Sequence, residues 1–339
     1  MMTDVLLEIK DLKTHFYTET GQVTAVNGVS FDVKKGEIVG VVGESGCGKS
    51  VMSQTILRLF EEGTVEYEGE INFNGTNILS LNKRQINEVR GNDISMIFQD
   101  PLSTLNPVHT VGRQIAESII LHQNASKKEA EEKAVELLRL VGIPSPEKRA
   151  NEYPHNLSGG MRQRAMIAVA LACRPKLLIA DEPTTALDVT IQAQILDLMK
   201  NLNEELDMGI IFITHDLGVV ADLCSRVVVM YLGEIVEEAS IEELFTRPLH
   251  PYTQGLIKSI PQLDGDRSVM LHTIEGTVPP LTRVPKGCRF AARCPFADEQ
   301  CVASPPPIYE HTASQKVKCW HFEKILAKQE VAADVHTYT

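Results

Sequence analysis

The sequence has no apolar run approaching the ~18 residues that cross a bilayer, and its start, Met1-Met2-Thr3-Asp4, lacks the basic-then-apolar pattern of a secretory leader. The expectation is a chain that stays in the cytosol and meets a membrane only through a partner that spans it. Positive charge is also short. The formal net charge of −12 sits in residues 1–239, with 22 Lys/Arg against 34 Asp/Glu, whereas residues 240–339 carry 11 of each. An acidic body argues against a broad nucleic-acid footprint, so no nucleic-acid partner is expected. Cysteines number seven, an odd count without a secretory signal, which argues against a disulfide framework. What remains, 339 residues with 43% hydrophobic content, suffices for one large domain or two ordinary ones and excludes disordered and fibrous classes.

The stretch that organises the chain is Gly43-Glu44-Ser45-Gly46-Cys47-Gly48-Lys49-Ser50. It meets G-x-x-x-x-G-K-[ST] at every fixed position, between the apolar run Ile38-Val39-Gly40-Val41-Val42 and a helical stretch opening at Val51. Glycines let the backbone turn tightly, so that successive N–H groups and a helix N-terminus point at phosphate oxygens. Lys49 would reach the β- and γ-phosphates, and the Ser50 hydroxyl would hold Mg²⁺.

Upstream, Val5-Leu6-Leu7-Glu8-Ile9 and Val29-Ser30-Phe31-Asp32-Val33 flank a turn at Thr20-Gly21-Gln22 and predict an antiparallel β-lobe. Phe16 or Tyr17, just before that turn, could stack on an adenine or simply pack, and spacing alone leaves this open. Ile94-Ser95-Met96-Ile97-Phe98 predicts a strand that ends at Gln99, before Asp100-Pro101. From about 111 to 170 the pattern is helical. It includes a capping box at Ser126-Lys127-Lys128-Glu129 and a stop at Gly142, and marks an insert in the sheet.

Leu157-Ser158-Gly159-Gly160-Met161 opens a helix with small residues suited to close packing. Leu177-Leu178-Ile179-Ala180-Asp181-Glu182 has the composition of a buried parallel strand, and the carboxyl ends of such strands bind ligands in open α/β sheets. In that setting Asp181 serves Mg²⁺ and Glu182 polarises the attacking water. Gly209-Ile210-Ile211-Phe212-Ile213-Thr214 leads to His215 at the same sheet edge, within reach of a γ-phosphate. Val227 to Met230 and Glu234 to Glu237, joined at Gly233, predict a closing hairpin.

The order phosphate loop, Gln99, Leu157-Ser158-Gly159-Gly160-Met161, Asp181-Glu182, Ala186-Leu187-Asp188, His215 resembles the full motif set of the ATP-binding cassette (ABC) ATPases over residues 5–240. The resemblance implies an α/β fold with a P-loop NTPase core, a mostly parallel sheet with flanking helices, an N-terminal antiparallel β-lobe and a helical insert over about 101–170. It implies ATP and Mg²⁺ as ligands, with nucleotide contacts along Gly43 to Val51 and at Gln99, Asp181 and His215, and with Mg²⁺ at Ser50, Gln99 and Asp181. Catalysis would fall to Glu182, His215, Gln99 and Lys49. Ser158, Gly159, Gly160 and Asp188 would act in trans, across a head-to-tail dimer that sandwiches two ATP molecules and separates on hydrolysis. Alignment with the adenine-stacking position favours Phe16 over Tyr17. The Cys47 thiol, beside the phosphate loop, is expected to confer sensitivity to alkylation.

Residues 241–339 form a Pro/Cys-rich C-terminal extension holding ten of the 17 prolines. Arg247-Pro248-Leu249-His250-Pro251-Tyr252-Thr253, Gly276-Thr277-Val278-Pro279-Pro280 and Gly287-Cys288-Arg289-Phe290-Ala291-Ala292-Arg293-Cys294-Pro295 resemble the extension of the oligopeptide/dipeptide importer ATPases. That resemblance implies a bacterial or archaeal ATPase at the cytoplasmic face of the membrane. Its partners would be two membrane-spanning permeases, a second ATPase subunit (copy or paralogue) and an external substrate-binding protein. Peptides are the usual cargo, with nickel, glutathione or sugars in relatives. Cys288, Cys294, Cys301 and Cys319 fall within 32 residues, without the close pairs of structural zinc sites. Four thiolates suit an iron–sulfur cluster, some members of the subfamily hold a [4Fe-4S] cluster, and four reduced, packed cysteines are the alternative. The segment shows little apolar periodicity and is expected to need such a staple. A soluble ABC ATPase of DNA repair or translation is disfavoured by the single motif set, the acidic body and the lack of a heptad run. A non-hydrolysing subunit is disfavoured by Glu182 and His215.

Overall fold

The computed structural model describes residues 4–19, 21–185, 187–260 and 273–336. Thr20 of the expected turn and Ala186 of the Ala-Leu-Asp motif lie outside them. The strands of the described residues are β1 (Val5–Thr18), β2 (Gly21–Lys34), β3 (Ile38–Val42), β4 (Val65–Phe73), β5 (Thr76–Asn77) and β6 (Ile94–Ile97). They continue with β7 (Leu177–Asp181), β8 (Gly209–Thr214), β9 (Arg226–Tyr231), β10 (Glu234–Ser240), β11 (Tyr309–Glu310) and β12 (Lys316–Val317).

These strands form a four-stranded sheet ordered β2-β1-β4-β5, antiparallel throughout, and an eight-stranded sheet ordered β11-β12-β10-β9-β3-β8-β7-β6. In the larger sheet the pairs β3/β8, β3/β9, β7/β8 and β6/β7 are parallel. The apolar runs are continuous because both faces are covered. Alternation divides them: Val42, Leu178, Ala180, Phe212 and Val229 enter one core, whereas Val41, Ile179, Ile211, Ile213 and Met230 enter another shared with the β-lobe and the first helix, Lys49–Ile56.

The insert is helical, chiefly Val111–Gln123, Lys127–Leu140 and Gly159–Ala170. Val111, Ile115 and Ile119 pack with Ala130, Ala134 and Leu138, both sets at helical spacing. The Ser126/Glu129 capping box is complete, and Gly142 takes φ 73° just past the helix.

Two features of the C-terminal region differ from the sequence expectation. The β9/β10 hairpin does not close the sheet, because β12 pairs with β10 and β11 with β12. The extension also has a small core, Leu249, Val317, Cys319, Phe322 and Ile325, flanked by Phe296, Tyr309 and Leu326. Leu249, Phe296 and Tyr309 come from separate segments and join the stretch 317–326, so only Phe322, Ile325 and Leu326, at helical spacing, carry a local signal. The fully buried Glu237 carboxylate of β10 ties this region down. It accepts N–H groups of Leu249 (2.8 Å) and His250 (2.9 Å) and Nε2 of Gln315 (3.0 Å), while burial raises its pKa.

Candidate functional site

The phosphate loop joins β3 to the helix Lys49–Ile56, with Gly43, Gly46 and Gly48 at positive φ (157°, 81° and 94°). A Cβ at Gly43 would lie 2.3 Å from the Met230 carbonyl oxygen and one at Gly48 2.6 Å from that of Ala25, so neither position accepts a side chain. Lys49 is buried and curls over the loop, its Nζ donating to the carbonyls of Gly43 (2.7 Å) and Glu44 (3.1 Å). Ser50 Oγ donates to Asp181 Oδ1 (3.1 Å) and Ser53 Oγ to Oδ2 (3.4 Å). Burial, reinforced by the neighbouring Glu182 charge, raises the Asp181 pKa, while the Ser50 and Ser53 hydrogen bonds and Lys49 oppose the rise. A hydroxyl and a carboxylate at the foot of a phosphate cradle form an oxygen donor set that fits a hard divalent cation.

Glu182 follows β7 with φ 48°, the bend that lifts its side chain from the sheet edge. Its Oε2 accepts Nε2 of Gln99 (3.0 Å) and Oγ1 of Thr185 (3.0 Å) and lies 3.5 Å from His215 Nδ1. Gln99 after β6, Glu182 after β7 and His215 after β8 therefore converge from three adjacent parallel strands, at the edge where β3 ends in the phosphate loop. The sequence reading missed Thr185 and Ser53, which brace the two carboxylates; Thr185 stands three residues past Glu182 and Ser53 three past Ser50, the only local signals for either.

Phe16 meets Phe60 edge-on, with centroids 4.9 Å apart. It shares a strand face with Thr14, whose hydroxyl bonds Thr55 on the first helix (3.0 Å), whereas Tyr17 projects from the opposite face to Glu66. Ser158 caps the helix Gly159–Ala170, accepting the Met161 N–H (3.4 Å), and Asp188 caps Val189–Leu206 through Ile191 N (2.9 Å). A Cβ at Gly160 would lie 3.0 Å from Ile191 Cγ2, so the two caps are neighbours. Among the described residues neither cap bonds the phosphate loop of its own chain.

Glu44 and Cys47 differ from expectation. Glu44 faces the C-terminal extension: its N–H donates to Tyr252 Oη (2.7 Å) and its carboxylate takes a two-pronged ion pair from Arg293 (2.6 and 3.0 Å). Cys47 is fully buried, its Sγ 4.0 Å from Tyr252 Oη, and burial raises its thiol pKa. Neither the burial nor the raised pKa favours the expected sensitivity to alkylation, since a buried, protonated thiol is a poor nucleophile.

Cys288, Cys294 and Cys319 each have their pKa raised in part by neighbouring cysteines of the cluster, and Cys301 by burial. Burial is the main cause, and mutual repulsion adds to it, with Cys294 pushed to about 11 and Cys319 to about 12. Backbone N–H groups aim at the sulfurs, Phe296 N at Cys294 (3.4 Å) and His321 N at Cys319 (3.4 Å). Zn–S bonds of ~2.3 Å would set tetrahedral sulfurs about 3.8 Å apart. Among the described residues no three of these sulfurs lie within 4.8 Å of one another; the one such grouping of ligand atoms is Asp298, Cys301 and His321.

Sheet, phosphate loop and paired carboxylates define a nucleotide-hydrolysing P-loop ATPase of the cassette class. The family description "ABC transporter" matches residues 26–185, and "Oligopeptide/dipeptide transporter, C-terminal region" matches residues 236–301. The chain is 55% identical over 324 residues to the "Probable peptide ABC transporter ATP-binding protein y4tR" of Sinorhizobium fredii (95% of this chain, 97% of that one). It is 50% identical over 325 residues to the "Oligopeptide transport ATP-binding protein AppD" of Bacillus subtilis (96% and 99%). Among solved structures, the dimeric ATP-binding cassette MJ0796 in a post-hydrolysis state with ADP and Pi is similar at TM-score 0.63 and 30% identity, over 69% of this chain and 98% of that one. The chain belongs to the ABC transporter ATPases, in the branch of the oligopeptide/dipeptide transporters. Among the described residues no helix is long and apolar enough to cross a membrane.

Proposed function

We propose that this ATPase powers import of di- and oligopeptides through a membrane permease complex. The observation that carries the reading is the pairing of the Gln99/Glu182/His215 convergence with a C-terminal region of the peptide-transporter type on one chain. Residues 1–240 are the ATPase unit and 241–339 the extension. Two permease subunits, a second ATPase subunit in head-to-tail arrangement and an external binding protein complete the machine, at the cytoplasmic face of a bacterial or archaeal membrane.

In this mechanism the loop Gly43 to Val51 wraps the phosphates, Lys49 swings from its own loop carbonyls to the β- and γ-phosphates, and Phe16 stacks on the adenine. A Mg²⁺ ion, when bound, would neutralise phosphate charge; Ser50, Asp181 and Gln99 would hold it. Ser158, Gly159, Gly160 and Asp188 close on the partner's nucleotide, which is consistent with the Ser158 and Asp188 caps making, among the described residues, no hydrogen bond to their own phosphate loop. Glu182 takes the proton of the attacking water, and His215 and Gln99 sense the γ-phosphate. Hydrolysis reopens the dimer and resets the permease.

Cys288, Cys294, Cys301 and Cys319 would hold a [4Fe-4S] cluster, supplying a cross-link or a redox centre. The reading rests on four cysteines within 32 residues and on backbone N–H groups directed at two of the sulfurs. Anaerobic purification is expected to give about four irons and four labile sulfides per chain; an anaerobic protein free of both contradicts it. The import reading is tested by ATP-driven uptake of labelled short peptides into vesicles bearing the assembled complex. Uptake of nickel, glutathione or sugars in place of peptides transfers the same machine to another cargo.

A further inference from the structure

Arg293 lies 249 residues from Glu44 in sequence, yet its side chain, 4% exposed, grips the second residue of the phosphate loop. Both terminal nitrogens donate to the Glu44 carboxylate, Nε donates to the Glu275 carbonyl (2.9 Å), and the guanidinium lies 5.7 Å from the Tyr231 ring centre and 5.9 Å from that of Phe290. Tyr252, fully buried, takes the Glu44 N–H and packs on the same rings, with centroids 4.8 Å from Tyr231 and 5.4 Å from Phe290. Arg289 pairs with Glu234 (2.9 Å) and reaches the Leu232 carbonyl, next to Gly233, whose N–H bonds the Cys47 carbonyl (2.8 Å). The loop is thus held from behind at two of its variable positions. Both arginines adjoin a clustered cysteine, Arg289 following Cys288 and Arg293 preceding Cys294.

We propose that Arg293 is a positioning residue for ATP binding, fixing the phosphate loop through Glu44 so that nucleotide affinity depends on this contact from the C-terminal extension. A two-pronged pair to a carboxylate fixes direction as well as distance, which Lys cannot reproduce. Glu44 points away from the mouth of the loop, so its contribution passes through loop shape.

The test is a double-mutant cycle on the full chain, read by the Kd of a fluorescent ATP analogue and by KM and kcat for ATP. Arg293→Ala is expected to weaken ATP binding about 10-fold in the wild-type background and under about 2-fold in a Glu44→Ala background. KM is expected to carry the effect while kcat at saturating ATP is retained, with Arg293→Lys restoring only part of the loss. Glu44→Gln, which removes the charge without changing any residue of the extension, should weaken binding in the same direction even where Arg293→Ala fails to fold. Equal losses from Arg293→Ala in both backgrounds would mark a general structural role and overturn the proposal, as would an unchanged Kd in Glu44→Gln. The inference rests on this loop being the ATP site; Lys49→Ala measured alongside separates the two, since retained ATP binding there sinks the site assignment itself.

Discussion

Glu182→Gln lowers ATP turnover by about 10²- to 10⁴-fold, the range of a positioned general base, while ATP binding persists. The substitution keeps the shape of a side chain held by Gln99, Thr185 and His215 and removes only its charge and basicity. Thr185 can still donate to the remaining amide oxygen, so the loop after β7 stays in place. On the proposed head-to-tail mechanism, blocked hydrolysis with an intact phosphate cradle is expected to make the two-ATP dimer accumulate. Size-exclusion chromatography with ATP should show a stable dimer for the variant and a transient one for the wild type. Vigorous hydrolysis by the variant would remove Glu182 from the role of base.

Lys49→Ala acts one step earlier and weakens ATP binding by about 10- to 100-fold, the worth of charge-assisted hydrogen bonds to the phosphates. Lys49 is buried, and its Nζ bonds carbonyl oxygens of its own loop, with no carboxylate within salt-bridge distance among the described residues. Its charge is therefore uncommitted and ready to turn to an anion. Equilibrium binding of a fluorescent ATP analogue, with circular dichroism to verify the fold, measures the loss. Wild-type affinity in the variant would contradict the role.

Much of the framework could be read locally. The runs at 38–42, 177–181 and 209–214 are apolar throughout because each strand is covered on both faces, and periodicity with a glycine or carboxylate at the end is enough to place them. The Ser126/Glu129 box works for the same reason, since both halves lie within four residues. The partners that brace the site are a different matter. Phe60 against Phe16, Thr185 on Glu182 and Arg293 on Glu44 are choices made by tertiary packing among many equally eligible residues. Cys47 shows the cost of proximity in sequence: it sits inside the loop motif, but its side chain points to the core under Tyr252. The extension hid its attachment to the main sheet because β11 and β12 are two residues each, too short for any period to register.

The central claim is that nucleotide hydrolysis at this site is coupled to peptide delivery. The most direct measurement is the ATPase rate of the reconstituted complex, two permeases with both ATPase subunits, with empty binding protein and with binding protein loaded with short peptides. The account predicts stimulation by the peptide-loaded form and none in a complex carrying Glu182→Gln. An assembled, hydrolytically active complex whose rate ignores peptides would contradict it.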